Sequence, residues 1–287
     1  MALPLWLKNF QRESEKLKQK TLSLDTNKLY IFGNSFSMVD GKDGLLDHER
    51  WPYIVAKEFN SEEINISVPG CPIGSSANQF EICRDSIQPN DILIVLLGVN
   101  ATQFFFEDRP YISSLRTMEY YDCPDEYLLE EKIAVEHYEK WLVNPVNEKL
   151  FTINFLHSLD EIAQRLKLRT IVIRTYRRDE FDDDITDKRY PNLIISKGNL
   201  WNASSAEFDS KELFNYLKIK TNNYMIDYRA NHFTPENHQV LADKLIACIK
   251  DGAPLDLTTG FHSKHVSLNN SKNLLDFLNL NKLTLGE

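Results

Sequence analysis

Apolar residues arrive along this chain in short bursts, separated by longer stretches in which every third or fourth position is apolar. The bursts fall at 29–32, 64–68, 92–97 and 170–174, with a weaker one at 224–227. The third, Ile92-Leu-Ile-Val-Leu-Leu97, shows no polar alternation, as suits a strand buried on both faces. Helical periodicity fills the intervals at about 49–59, 75–87, 126–141, 147–167 and 235–250. Strand and helix in alternation predict βαβ units. The expected fold class is therefore α/β, a three-layer α/β/α sandwich around a central, mostly parallel five-stranded sheet with right-handed connections.

The last helical segment carries clear punctuation. Thr234 suits the N-cap, Pro235 the first helical position, and Glu236 the positive end of the helix dipole. Leu241, Ala242, Leu245, Ile246 and Ile249 form its apolar stripe, and Gly252 and Pro254 stop it. These limits divide the chain into an N-terminal helical extension (1–25), a main domain (26–252) and a C-terminal tail (253–287). The tail holds one further amphipathic stretch at 274–280. Within the main domain, about 101–145 reads as an insertion, and its first part is rich in aromatics: Phe104, Phe105, Phe106, Tyr111, Tyr120 and Tyr121. It follows a strand end, where parallel sheets place their ligand crevice, so it reads either as a wall of a site or as a satellite core. No internal repeat or low-complexity tract interrupts the pattern.

Composition narrows the function classes. With 287 residues the chain can bury a substantial core, and 42% hydrophobic against 26% charged residues is an ordinary globular balance. A net charge of −9 argues against nucleic acid or an anionic membrane as the main partner. The one basic cluster, Arg174, Arg177 and Arg178, is followed at once by Asp179, Glu180 and Asp182 to Asp184, and reads as a solvated loop. Cys71, Cys83, Cys123 and Cys248 contain no CxxC pair, so free thiols are expected rather than a zinc or dithiol site. No apolar run is long enough for a membrane span, and the first residues lack a cleavable leader pattern. The default expectation is synthesis in the cytoplasm, with later incorporation into a secreted or viral particle left open.

Candidate chemistry gathers at strand ends. The first burst stops at Gly33-Asn34-Ser35, which puts a serine just past the carboxyl end of a strand, facing the crevice. Gly33 is the residue that lets the chain turn sharply there and lets a following helix or loop sit close. Asn65 to Gly70 closes the second burst, Gly98-Val-Asn100 the third, and His232-Phe-Thr-Pro-Glu-Asn-His238 opens the last helix. Together these supply a hydroxyl, a backbone N–H with no side chain in the way, an amide and an imidazole, which are the parts needed for acyl transfer. The Gly-x-Ser-x-Gly elbow of α/β-hydrolases is absent, because position 37 is Ser. Phosphate-loop and dinucleotide fingerprints are absent too. His232 and His238 are six residues apart, which is not the spacing of helical zinc ligands, so His238 reads as a surface or packing residue.

In this order and spacing the blocks resemble the SGNH hydrolases, also called the GDSL esterase/lipase superfamily. Gly33-Asn34-Ser35 is similar to the family's Gly-Asp-Ser, with Asn in place of Asp. Trp51-Pro52 resembles the Trp-Pro that often begins the first helix, and Gly70, with Asn65 before it, the oxyanion glycine block. Gly98-Val-Asn100 resembles Gly-x-Asn-Asp with Ala101 at the Asp position. His232, Asn237-His238 and Ala242 resemble the histidine block. The resemblance implies a flavodoxin-like fold and a serine esterase, with Ser35 as nucleophile and His232 as base. It also implies an oxyanion hole made by the Ser35 and Gly70 N–H groups and the Asn100 amide, and no cofactor or metal. The resemblance implies esterase, lipase, thioesterase or carbohydrate deacetylase activity without choosing among them; a small-molecule or glycan ester, such as an O-acetyl group on a carbohydrate, is the expected substrate.

The triad acid departs from the family. Three residues before the catalytic His the family has Asp, whereas this chain has Arg229, which has no acceptor with which to orient an imidazole. Asp227 is the nearest substitute. A Ser–His dyad and a catalytically inactive binding or structural protein of the same fold are the alternatives.

Overall fold

The computed structural model describes residues 27–37, 47–67, 73–98, 104–106, 109–112, 145–176, 185–205 and 233–262. In chain order the strands are β1 (Lys28–Phe32), β2 (Glu62–Asn65), β3 (Ile92–Leu97), β4 (Phe104–Phe106), β5 (Arg109–Ile112), β6 (Arg169–Arg174) and β7 (Leu193–Ile195). The helices are α1 (Trp51–Glu58), α2 (Ile73–Cys83), α3 (Pro145–Leu166), α4 (Leu200–Ser205) and α5 (Pro235–Asp251).

Five strands form one sheet in the order β2-β1-β3-β6-β7, and every pair in it is parallel. The sheet is thus wholly parallel, where the sequence pattern indicated mostly parallel. Its fifth strand is Leu193–Ile195; the segment 224–227, expected in that role, lies outside the described residues, as do the N-terminal extension at 1–25 and the helical patterns at 126–141 and 274–280. β4 and β5 pair antiparallel as a separate hairpin within the aromatic insertion.

Alternation along the strands builds two cores. Leu29, Ile31, Ile94, Leu96, Ile171 and Ile173 pack on one face with α1, α4 and α5. Tyr30, Phe32, Leu93, Val95 and Val172 pack on the other with α2 and α3. Both faces are covered, which is why β3 carries no polar position. In α3, Thr152, Phe155, Leu156, Leu159, Ile162 and Ala163 are buried at a helical period. In α5, Gly252 closes the helix in the left-handed conformation (φ 67°), as its sequence position predicts. Thr234 occupies the N-cap in extended geometry but makes no side-chain capping bond.

Residues 253–262, read from sequence as part of a tail, pack back onto the domain. Lys197 bridges to Asp256 in parallel, Leu255 and Leu257 are buried, and the Phe261 ring stacks on Phe233 at 5.7 Å. The isolated bridge extends the sheet's hydrogen bonding beyond β7.

The strand order fixes where a ligand crevice lies. From β1 the chain crosses to β2 on one side and then returns to β3 on the other, so the connections diverge between β1 and β3. The crevice of an open parallel sheet opens at the carboxyl ends of such a pair. Gly33 follows β1 and Gly98 follows β3 at that point.

Candidate active site

Past Phe32 the β1 ladder ends, and the backbone groups of the next residues need other partners. They find them in a ring of neutral side chains. The Gly33 N–H donates to Gln79 Oε1 at 2.7 Å, and Gln79 Nε2 donates to the Gly33 carbonyl at 3.3 Å. Asn34 is buried, its Nδ2 donating to Thr175 Oγ1 at 3.0 Å while its Oδ1 accepts the Phe36 N–H at 3.2 Å. The Trp51 indole N–H donates to the Phe36 carbonyl at 2.8 Å. The Ser37 N–H returns to the Asn34 carbonyl at 3.0 Å, closing the turn.

Ser37 is held from the end of β2. Asn65 Nδ2 donates to the Ser37 carbonyl at 2.6 Å, and Asn65 Oδ1 accepts the Ser67 N–H at 3.2 Å. Ser37 Oγ lies 3.2 Å from the Asn34 carbonyl and 2.7 Å from Ser67 Oγ. One hydroxyl proton cannot serve both. The consistent arrangement has Ser67 donating to Ser37 and Ser37 donating to the Asn34 carbonyl.

Gly33 is required by space rather than by backbone conformation. It is not among the positive-φ glycines, which among the described residues are Gly198, Gly252 and Gly260. A Cβ at Gly33 would stand 2.8 Å from Leu96 Cβ and 2.9 Å from Ser37 Oγ. So the sharp turn foreseen at this glycine is made by residues 34–37, and the glycine itself serves the close approach of β3.

Ser35 sits half-buried in the middle of this fixed turn. Of the site residues singled out by sequence, it is the one within the described set; Gly70, Asn100, Asp227 and His232 lie outside it, as does Arg229. The described residues nearest to them in sequence converge on the turn. Ser67, three positions before Gly70, bonds Ser37. Gly98, two before Asn100, is buried at the end of β3 beside β1. Phe233, directly after His232, lays its ring against Phe36, directly after Ser35, with centroids 5.7 Å apart at 64°. That edge-on contact is favourable beyond the area it buries.

Phe233 also packs at 5.9 Å on His238, which is fully buried and accepts the Trp51 N–H through Nδ1 over 3.5 Å. Of the two sequence readings of His238, packing is therefore the one observed. On the far side of Phe36, the Tyr176 ring lies 6.3 Å away and is itself 5.4 Å from Trp201. Both are half-buried, and the Trp201 N–H donates to the Thr175 carbonyl at 2.8 Å.

Gln79, Thr175, Ser67, Tyr176 and Trp201 were not marked by the sequence patterns. Gln79 sits mid-helix, where glutamine is generic. Thr175 and Tyr176 follow a strand end, and that position was the available signal. Among the described residues no cluster of His, Cys, Asp or Glu has the makings of a metal site, and no helix is long and apolar enough to cross a membrane.

No protein-family model matches the chain, and no curated protein matches it in sequence. Solved structures with a loosely similar backbone include the following two. One is the crystal structure of protein YxiM from Bacillus subtilis, at 16% identity and TM-score 0.32, over 76% of this chain and 49% of the other. The chain thus spans about half the length of that protein. The other is a carbohydrate esterase whose active site is described as having divergent catalytic and non-catalytic binding functions, at 11% identity and TM-score 0.38, over 80% of this chain and 70% of that one.

Proposed function

We propose that the chain is a serine ester hydrolase in which Ser35 is the nucleophile and His232 the general base. The observation that carries this reading is the Phe36–Phe233 ring contact, because it joins the residues next to Ser35 and His232 across the length of the domain. The hydrogen bonds with Gln79, Thr175, Trp51 and Asn65 that fix the turn on either side of Ser35 support it as well, since a nucleophile must be held in place.

In this mechanism His232 removes the Ser35 hydroxyl proton as Oγ attacks the ester carbonyl carbon. The oxyanion takes hydrogen bonds from the Ser35 and Gly70 N–H groups and the Asn100 amide, each donor lowering the barrier by about 3 kcal/mol. The carbon–oxygen bond to the alcohol breaks, and the imidazolium returns its proton to the leaving oxygen. Water then adds to the acyl-enzyme with His232 again as base, releasing the acid and restoring Ser35. Asp227 holds the imidazole; removing such a carboxylate lowers turnover by about 10⁴ in the serine-protease triad. The half-buried Tyr176 and Trp201 beside Phe36 suit the apolar face of a sugar ring, so an O-acetylated carbohydrate is the favoured substrate.

A fluorophosphonate probe tests the reading. Wild type should be labelled on Ser35, with labelling abolished in Ser35→Ala and slowed in His232→Ala. Folded wild type that resists the probe would instead favour the inactive binding or structural protein to which Arg229 points. Acetate release from acetylated glycans, compared with hydrolysis of longer acyl esters, then decides the substrate class.

A further inference from the structure

We infer that Gln79 is a positioning residue of the nucleophile turn, acting through the backbone of Gly33; this rests on the hydrolase reading above. Gly33 is the first residue beyond the β1 ladder, so its N–H and carbonyl have lost their strand partners two positions before the nucleophile. The Gln79 amide meets both, accepting from the N–H at 2.7 Å and donating to the carbonyl at 3.3 Å. A carboxamide is the side chain that can do this while neutral, because it presents one acceptor and two donors on one plane. Gln79 is 6% exposed, so both bonds are made where water does not compete.

The rest of α2 makes the clamp rigid. One turn earlier Ser76 Oγ donates to the Leu96 carbonyl of β3 at 2.9 Å, and one residue later the Phe80 ring packs edge-on against Phe32 at 6.2 Å. The helix is thereby fixed to β1 and β3 together, at the pair whose carboxyl ends open the crevice. It also begins three residues after Gly70, the candidate oxyanion glycine. Gln79 therefore ties the turn that carries the nucleophile to the helix that follows the proposed oxyanion donor. A displacement of about 1 Å at the nucleophile turn costs on the order of 10² in rate.

Two substitutions test this. Gln79→Leu removes both bonds, and Gln79→Glu keeps the shape. A carboxylate accepts from the Gly33 N–H but cannot donate to its carbonyl, whereas a neutral carboxylic acid can do both. Fluorophosphonate labelling rates should fall about 10- to 100-fold in Gln79→Leu, in kcat far more than KM for ester turnover. In Gln79→Glu the rate relative to wild type should recover as the pH is lowered, which a merely structural role would not produce. Hydrogen exchange at the Gly33 amide gives a readout independent of chemistry: slow in wild type, fast in Gln79→Leu. If wild type labels and both folded variants label within twofold of it at every pH, Gln79 does not position the turn and the hydrolase reading stands. If wild type does not label at all, the hydrolase reading falls and this inference with it.

Discussion

The two edges of the central sheet end the same strands in opposite ways. At the carboxyl edge, residues 33–37 are held by side chains from α1, α2, the end of β2 and the end of β6, and hydrogen-bond partners are packed around one half-buried serine. At the amino edge, the starts of β1 and β3 are strapped by Asp91, whose carboxylate accepts the Lys28 and Gln88 N–H groups at 2.8 Å each. Burial raises the Asp91 carboxyl above its ordinary value, and those backbone bonds oppose the shift. Nearby, α3, β6 and β7 enclose a pocket of about 390 Å³ lined by residues including Lys167, Arg169 and Asn192. Its lining residues do not pair a nucleophile with a base. Thr170 Oγ1 at its wall is buried with no hydrogen-bond partner among the described residues. The difference teaches that a volume is a weak sign of chemistry, and that polar groups converging on one backbone turn are a stronger one.

The comparison can be broken most forcefully at Phe36. Truncation to alanine removes a fully buried ring and its contacts with Tyr176 and Phe233, so Phe36→Ala should lose about 3–5 kcal/mol in urea unfolding. A loss below about 1 kcal/mol would mean the turn is not anchored as described. Gly33→Ala is next. Its Cβ collides with Leu96 Cβ, which the β3 backbone cannot move aside, and should cost about 1–3 kcal/mol. Because the collision also pushes on Ser37, probe labelling of Ser35 should slow by more than the stability loss alone would explain.

Among the described residues two thiols, Cys83 and Cys248, are buried, each in the last turn of its helix. Burial pushes Cys83 up to about 12 and Cys248 up to about 11, from an ordinary 9.0. From about pH 9 to 11 the unfolded chain releases thiol protons that the folded chain keeps, so stability should fall as pH rises through that window. Urea midpoints across alkaline pH, with and without Cys83→Ala, check the sign; a midpoint independent of pH in wild type would contradict it. The smallest effect belongs to the amino edge. Thr170→Val deletes the orphaned hydroxyl while keeping the shape, and should leave stability unchanged or raise it by up to about 1 kcal/mol. A marked loss there would show that the hydroxyl has a partner after all.

Much of the fold was legible because it rests on strong patterns. The run at 92–97 named the central strand, since burial on both faces leaves no room for a polar position. Leu193–Ile195 was missed because three residues are too few to display a period, and the strand's place depends on pairing with β6. The candidate site was legible as a list of strand ends. Its support was not. Gln79 bonds the Gly33 backbone, Thr175 the Asn34 side chain and Ser67 the Ser37 hydroxyl, each at least 30 positions away, and no local pattern encodes such a contact. Trp51 was noted as half of a Trp-Pro pair, but its indole bond to the Phe36 carbonyl required the three-dimensional arrangement.

The account turns on Ser35 and His232 meeting above the β1–β3 divergence. The direct measurement is the separation between Ser35 Oγ and the nearer ring nitrogen of His232 in a crystal structure of the whole chain. A hydrogen-bond distance of about 2.6–3.2 Å, or one bridging water, is the predicted result. A histidine turned away from the turn, with another side chain filling the place beside Ser35, would contradict it.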